Sequence, residues 1–577
     1  MNNLNQKTFL LPLAVALAVA LPFAGWWNGS AQQSAAAQQP PSAIAGAAPQ
    51  NAAAGPPEPE RDGAARLLCD FFGLKSTTTD TERGDYCLLM AGKNPKGYHI
   101  EHLIATVPDP LDSHLDYFFD RNLDAMQRAI EATGYTIDRF RLPWGRLNSQ
   151  QPGGLTPYQQ RRLYTREPGI ILFRNIKPED HRLLLLFLVG ETPTTGIHKE
   201  AFSNSLDQLA RLHAAGILQP AEAGNWHIRV LGPSFSGSAT SLALSFKEFF
   251  DKRMLSAGAK VQVISGSATA IDKNDMLCLT GNYSRVTFNT TVPLDTDVQK
   301  AFIKYLVDIH AIDRTAEEPQ IAILTEANTD YGQKSNPLTE AENAANRATP
   351  AQVRSGPDEG GPCSAEKTAV TPDFNASILS LTFPLHIAKL RSEVSKARTA
   401  RNDAGDSVLF DSHETSLQLN EGADARDVIP LFSPLETPST ELVLREILSA
   451  IQREPIRYIG LVATDVQDQI FLVRELRRHC PNAVIFMFGA DLLYLHSEAN
   501  LDFQGTLIIS PYPLFNLNQY WSYPFNGDKD RVQFASHTTQ GVYNAMMALM
   551  NQPEEMVEYG GPFDTGRSPG LDPEYHF

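Results

Sequence analysis

The chain has 577 residues, a net charge of −17 and 42% hydrophobic residues. A chain this long exceeds one small hydrophobic core, so we expect two or three folded units. The negative charge argues against nucleic acid or an anionic membrane surface as the partner, because both repel an acidic protein.

The N-terminal segment, residues 1–30, predicts a transmembrane anchor or a signal peptide. Its apolar run, Phe9–Trp27, holds no charged residue and follows Lys7. A run of this length can span a bilayer, and the two tryptophans at its end suit the membrane interface. The small residues just after it suit cleavage of a signal peptide instead. The length of the run favours an uncleaved anchor, and in either case we expect the rest of the chain to be exported to the periplasm or the cell exterior.

Residues 31–98 predict a flexible tether followed by a short lead-in. Most of the tether consists of Ala, Gln and Pro, a composition that cannot bury a core. The five cysteines of the chain include no C-x-x-C pair, which argues against a zinc site or a thioredoxin motif. Cys69 and Cys87 could pair in an oxidising compartment, or they could be free thiols.

From His99 onward, predicted strands alternate with predicted helices, which is typical of parallel sheets flanked by helices. The run 183–189 is continuously apolar, as in a parallel strand that is buried on both faces. We predict a first lobe over 99–332, a disordered insertion over 333–375, a second lobe over 376–551 and a tail over 552–577. Elements near the C-terminus of the second lobe could return to the first. The predicted strands of the first lobe are 100–107, 135–142, 169–173, 183–189, 228–231, 261–264, 286–290 and 321–324, and those of the second are 377–382, 428–432, 458–463, 484–488 and 505–510.

Two loops rich in small hydroxyl residues follow consecutive strands of the first lobe. Ser234, Ser236 and Ser238 follow one strand, and residues 265–269 follow the next. The carboxyl ends of parallel strands meet at one edge of a sheet, which is where ligands bind. Hydroxyl and backbone N–H groups can hold a carboxylate there. The same hydroxyls could instead cap the helices that follow them.

Six segments between about His99 and Asn551 resemble, in order and wording, the type I periplasmic binding proteins, which bind branched-chain amino acids or serve as ligand-binding regions of receptors. They are VLGPSFSGSATSLAL, VISGSATA, FNTTVPLDTDVQKAFIKYLVDI, IAILTEANTDYGQ, YIGLVATDVQDQIFLVRELRRHCPNAVIFMFGADLL and GTLIISPYPLF. The resemblance implies an α/β fold of two lobes, each a mainly parallel sheet flanked by helices, which close on a ligand by hinge motion.

The resemblance also implies where the ligand contacts fall. In the first lobe they fall on Ser234, Ser236, Ser238, Ser265, Ala268 and Thr269. In the second lobe Tyr331 and Asp465 are the candidates, with Asp491 as a further one. Asp465 could equally cap the helix that follows it. We expect a small polar, amino-acid-like ligand, and neither a metal nor a cofactor.

Two functions fit these observations. The first is an exported, membrane-tethered solute-binding or receptor module that works with a transporter or a signalling protein. The second is an envelope interaction or scaffold protein that keeps the fold without binding a ligand. An open polar cavity between the lobes would favour the first, and a filled cleft the second. An enzyme is not expected, because GPSFSG has Ser236 where the G-x-S-x-G motif needs its last glycine.

Overall fold

Two helix-flanked β-sheets account for most of the described chain, which was obtained as a computed structural model. All the described residues belong to one compact unit, Pro59–Phe577. The predicted anchor 1–30, the predicted strand 428–432, Cys69 and Cys87 lie outside the described residues, as do most of the tether, the insertion and the tail. The structure describes residues 97–144, 161, 164–177, 179–214, 216–218, 226–252, 256–271, 273–281, 284–313, 318–327, 329–335, 378–384, 386–402, 417, 433–512, 514 and 532–557.

The first sheet is mainly parallel, with an antiparallel edge. Its described strands are β1 (His99–Pro108), β2 (Tyr135–Arg141), β3 (Gly169–Asn175), β4 (Arg182–Thr192), β5 (Gly196–Ile197), β6 (Trp226–Leu231), β7 (Ala259–Ser265) and β8 (Val286–Thr290). They lie in the order β2-β3-β4-β1-β6-β7-β8, and β5 pairs with β4. The continuously apolar run lies in β4, which is parallel to β1 and antiparallel to β3. The sheet is therefore mixed on that side. The apolar run did not reveal this, because burial on both faces gives the same run in either strand direction.

Helices cover both faces of this sheet. They are α1 (Tyr117–Ala132), α2 (Lys199–Ala214), α3 (Ala239–Asp251) and α4 (Lys273–Thr280). Phe202 of α2 packs edge-to-face on Phe246 of α3, with ring centroids 5.3 Å apart, and both belong to the core on one face. Met126 and Ile130, one turn apart on α1, are buried in the core on the other face. The apolar residues of each helix thus recur at helical spacing on the side that meets the sheet.

The second lobe begins earlier than the sequence predicts. After β8 the chain crosses over at 291–294 and enters α5 (Asp295–Asp308). Phe302 of α5 packs on Phe486 with ring centroids 4.9 Å apart, so α5 covers the second sheet. The predicted boundary at 332 is wrong for this reason. Helical periodicity shows that α5 has an apolar face, but it does not show which sheet that face covers.

The described strands of the second sheet pair in parallel throughout. They are β9 (Ile321–Glu326), β10 (Ile378–Phe383), β11 (Tyr458–Val462), β12 (Val484–Phe488) and β13 (Leu507–Ile509), in the order β10-β9-β11-β12-β13. Besides α5, the described helices of this lobe are α6 (Asp330–Lys334), α7 (Ile387–Asn402), α8 (Glu436–Arg453), α9 (Val466–His479) and α10 (Asn500–Phe503). A mixed α/β fold of two lobes, each with a sheet flanked by helices, is therefore present.

The chain then returns to the first lobe, as the sequence left open. Helix α11 (His537–Leu549) packs into the core around α1, where Val542 and Met546 are buried. Tyr512, which follows β13, bonds to the crossover at 291–294: its hydroxyl donates to the carbonyl of Thr291 at 2.6 Å. No helix within the described ranges is both long and apolar enough to span a bilayer.

Candidate functional site

A cavity lies between the two lobes, with an empty volume of about 920 Å³ including open solvent. The first lobe contributes hydroxyl residues from the loops after β6 and β7. The second lobe contributes the loops after β9, β11 and β12. Aromatic rings from both lobes add apolar surface: Phe118, Phe235, Phe488 and Tyr494. The cavity wall thus combines polar groups with apolar surface, as pockets for small molecules do.

Ser234 and Ser236 line the cavity on its first-lobe side. The Ser234 hydroxyl donates to the carbonyl of Thr106 at 3.1 Å. The Ser236 hydroxyl accepts from the backbone N–H of Ala270 at 3.0 Å, which joins the two hydroxyl loops. The Ser236 hydroxyl therefore keeps its O–H for the cavity, whereas the Ser234 hydroxyl also accepts from Nδ2 of Asn122 at 3.5 Å.

Ser238, Ser265 and Ala268 are buried beneath this surface. The Ser265 hydroxyl donates to the carbonyl of Pro233 at 2.7 Å and accepts from the N–H of Ala268 at 3.1 Å. The Ser238 hydroxyl donates to the carbonyl of Thr192 and makes no capping bond to α3, although Ser238 directly precedes that helix. These three residues are not among those that line the cavity, and their hydrogen bonds hold the loops in place.

Thr269 and Tyr331 line the cavity from opposite lobes and meet at Asp295. The Tyr331 hydroxyl donates to Oδ2 of Asp295 at 2.6 Å, and Thr269 also hydrogen-bonds this carboxyl. Burial raises the pKa of Asp295 to about 6, although the two hydroxyls oppose that change. Asp295 was not predicted as a site residue. The sequence feature that could have indicated it is its position as the first residue of α5, directly after a crossover.

Asp465 has its carboxyl turned to structural partners. It caps α9 by accepting from the N–H of Gln467 at 2.9 Å, so the capping alternative is observed. Its Oδ2 also pairs with Nη1 of Arg391 at 2.7 Å, and Arg391 pairs in addition with Asp468. Burial opposes ionisation of Asp465, but Arg391 holds its pKa below the usual value. Its chain neighbours Thr464 and Val466 line the cavity.

Asp491 lines the cavity and pairs with a residue of the opposite lobe. Its Oδ2 accepts from Nη1 of Arg121 at 2.7 Å, and its Oδ1 accepts from the N–H of Leu493 at 2.9 Å. Burial raises the pKa of Asp491, while Arg121 opposes that change. Sequence analysis named Asp491 as a further candidate but missed Arg121, because no local pattern marks a partner 370 residues away.

The charge of the cavity comes from few groups. Asp295 and Asp491 are its acidic residues, and no Lys or Arg side chain is among the described residues that line it. Burial lowers the pKa of His537, which also lines the cavity, to about 4, so this ring is neutral at pH 7. An anionic group in the cavity would therefore be held by hydroxyl and backbone N–H donors, and a cationic group would meet the carboxylates.

No family model matches this chain. Several solved structures are similar to it. One is an ABC transporter substrate-binding protein from Desulfitobacterium hafniense, with 11% identity, a TM-score of 0.36 and coverage of 80% of this chain and 86% of that chain. A putative branched-chain amino acid ABC transporter from Silicibacter pomeroyi has 11% identity, a TM-score of 0.36 and coverage of 80% of each chain. A fatty acid ABC transporter substrate-binding protein from Thermomonospora curvata has 9% identity, a TM-score of 0.36 and coverage of 79% and 77%. All three likenesses are distant.

Proposed function

We propose that this protein binds a small polar molecule between its two lobes. The observation that carries the proposal is the cavity itself, whose empty volume of about 920 Å³ is lined from both lobes. Pockets for small molecules combine apolar walls with a few placed polar groups, and this cavity has both. A cleft that is open and polar favours ligand binding over a scaffold that has lost its ligand.

The polar groups suit a ligand with an anionic end and a cationic end, such as an amino acid. Ser234, Ser236 and Thr269 lie together on the first-lobe wall. The Ser236 hydroxyl keeps its O–H to donate to a carboxylate, because it only accepts in its bond with Ala270. Asp295 and Asp491 lie on the opposite wall, where an ammonium group would be favoured. The aromatic rings between them would contact an apolar side chain. We propose binding without turnover.

We further propose that the binding module is exported and held at the membrane by residues 1–30. The uncharged apolar run in that segment supports an anchor. Cys278 of α4 is disulfide-bonded, which suits an oxidising compartment outside the cytoplasm. The measurements are membrane fractionation and the mass of the mature protein. A protein found in soluble fractions with residues 1–30 removed would exclude the anchor.

Thermal shift of the full chain tests ligand binding. The screen contains amino acids, small carboxylates and small amines. A ligand present at about a hundred times its dissociation constant should stabilise the protein by about 2.7 kcal/mol. If no class shifts the melting temperature of folded protein, ligand binding is excluded and the scaffold alternative gains support. A compound that shifts it but changes mass during incubation would contradict binding without turnover.

Thr269→Val tests whether the cavity is the binding site. This change removes a hydroxyl that lines the cavity and keeps the side chain's shape. We expect about tenfold weaker binding of any compound that shifts the wild type, because a lost hydrogen bond is worth about 1 kcal/mol or more. Thr287→Val is the matched control, since Thr287 lies exposed on β8 of the same sheet. Equal affinity in both variants would place the binding site elsewhere.

A further inference from the structure

The first turn of α1 reaches from the first lobe into the second. Tyr117 and Arg121 are one helical turn apart and therefore lie on one side of α1. The Tyr117 hydroxyl donates to Oδ1 of Asp465 at 3.1 Å and accepts from the N–H of Val466 at 3.3 Å. Nη1 of Arg121 lies 2.7 Å from Oδ2 of Asp491. Tyr117 and Arg121 thus join α1 to two different loops of the opposite lobe.

The side chains of Tyr117 and Arg121 also contact each other within α1. The guanidinium carbon of Arg121 lies 5.0 Å from the centre of the Tyr117 ring, which is a cation–π distance. The Arg121 side chain is 17% exposed, and Asp491 opposite it is 7% exposed. A pair this shielded is weakened by solvent far less than a surface ion pair.

The carboxylates that receive these contacts are fixed within the second lobe. Asp465 is held by Arg391 and by the N–H of Gln467 at the start of α9. Asp491 is held by the N–H of Leu493. Both aspartates follow strands of the second sheet, so their carboxylates are acceptors in fixed positions for the side chains of α1. The contacts require the lobes to be near each other, and opening of the cleft breaks them together.

The same turn of α1 also forms part of the cavity wall. Phe118 and Asn122, the residues next to Tyr117 and Arg121, line the cavity on the first-lobe side. On the second-lobe side, Val466 and Asp491 both touch α1 and line the cavity. Separation of α1 from the second lobe would therefore open the cavity along this edge.

We propose that Tyr117 and Arg121, with their partners Asp465 and Asp491, form a latch that holds the two lobes together and regulates access to the cavity. That a ligand enters the cavity past the latch rests on the proposed function, but the latch holds the lobes together whether or not a ligand is present. It differs from the crossovers, which connect the lobes covalently and cannot release. The latch can release, because it consists only of the two hydrogen bonds of Tyr117 and the ion pair of Arg121.

Hydrogen exchange of the full chain without added compounds tests the latch. The variants are Tyr117→Phe, which keeps the ring, Arg121→Gln, and the double variant. We expect the backbone amides of 267–270 and 488–490 at the cavity wall to exchange roughly tenfold faster in each single variant and faster still in the double variant. Asp124→Asn is the matched control, because it breaks an exposed ion pair with Arg128 on the same helix.

The exchange of β1 and β4 amides reports whether each variant remains folded. Unchanged exchange there, together with faster exchange at the cavity wall, supports the latch. Tyr117→Phe and Arg121→Gln proteins that exchange like the wild type at the cavity wall would overturn it, as would equal acceleration in Asp124→Asn. If exchange at the cavity wall is faster in the latch variants but no compound shifts the melting temperature, the proposed function is rejected and the latch is not. A compound that binds, with exchange unaltered in the variants, would reject the latch alone.

Discussion

The two walls of the cavity are built from different chemistry. At and beneath the first-lobe wall, neutral hydroxyls are bonded to nearby backbone groups, as the buried Ser265 is to Pro233. On the second-lobe side, Asp491 lines the wall and pairs with Arg121, and Asp465 lies behind the wall and pairs with Arg391. Loss of a neutral hydrogen bond is a small and local change, whereas loss of a cation leaves a buried charge without a partner. We therefore expect the second wall to be the more sensitive to substitution.

Arg391→Met should have the largest effect. The change leaves Asp465 and Asp468 buried without their shared cation, and breaking a buried ion pair from one side costs about 3–5 kcal/mol. Urea unfolding followed by circular dichroism measures the loss. The control is the variant that also carries Asp465→Asn and Asp468→Asn, which should recover much of the stability. A loss below about 1 kcal/mol for Arg391→Met alone would contradict this account of the second wall.

Asp295→Asn should alter how stability depends on pH. The pKa of Asp295 is raised from 3.8 to about 6 in the folded protein, so the folded state holds this proton more tightly than the unfolded state does. Its contribution is fully present below about pH 4 and is lost as the pH rises to about 6, by about 3 kcal/mol. The asparagine variant cannot titrate there. The difference in unfolding free energy between wild type and variant should therefore change by most of that amount between pH 4 and pH 7, and a constant difference would reject the prediction.

Gly266→Ala should cost about 1–3 kcal/mol, the usual range for overpacking. A Cβ at Gly266 would lie 2.4 Å from the backbone nitrogen of Val542 in α11, so the loop and the helix would have to separate. Chemical unfolding measures the change. Gly134→Asn is the control without a steric clash: a Cβ there meets nothing within 4 Å, and only the strain of its positive φ of 86° remains, which is smaller for asparagine than for most residues. Equal losses in both variants would contradict the close approach.

Ser265→Ala should have the smallest effect, about 1 kcal/mol of unfolding free energy. The change removes the hydroxyl that joins Pro233 to Ala268 beneath the first wall. Ser439→Ala on the exposed side of α8 is the control, since that hydroxyl only bonds back to Leu435 in its own helix. A loss from Ser265→Ala as large as that from Arg391→Met would show that the two walls do not differ in the way described.

Sequence patterns predicted the elements of the fold well and their partners poorly. The apolar spacing in α1 marks a buried face, because burial imposes that spacing whatever the helix packs against. The same spacing in α5 did not reveal that Phe302 packs on Phe486 of the second sheet. The run in β4 likewise marked burial on both faces but left the direction of its neighbours open.

The candidate site shows the same division. Ser234, Ser236, Thr269 and Tyr331 line the cavity, where loops after strands were expected to bring them together. Asp465 after a strand suited a cap as well as a ligand contact, and its partner Arg391 lies 74 residues earlier in the chain. Pairings that form across such distances are set by tertiary structure, so a single sequence does not reveal them.

The course of the chain between the lobes affects the order in which the protein can fold. The second lobe, 295–512, is one continuous stretch of sequence between β8 and α11. Synthesis from the N-terminus produces the whole second lobe before α11, which supplies Val542 and Met546 to the core around α1. The lobe that is made first is thus completed last. We expect a chain truncated after residue 512 to retain a protease-resistant second lobe while its first lobe is degraded in limited proteolysis, and the full chain to protect both.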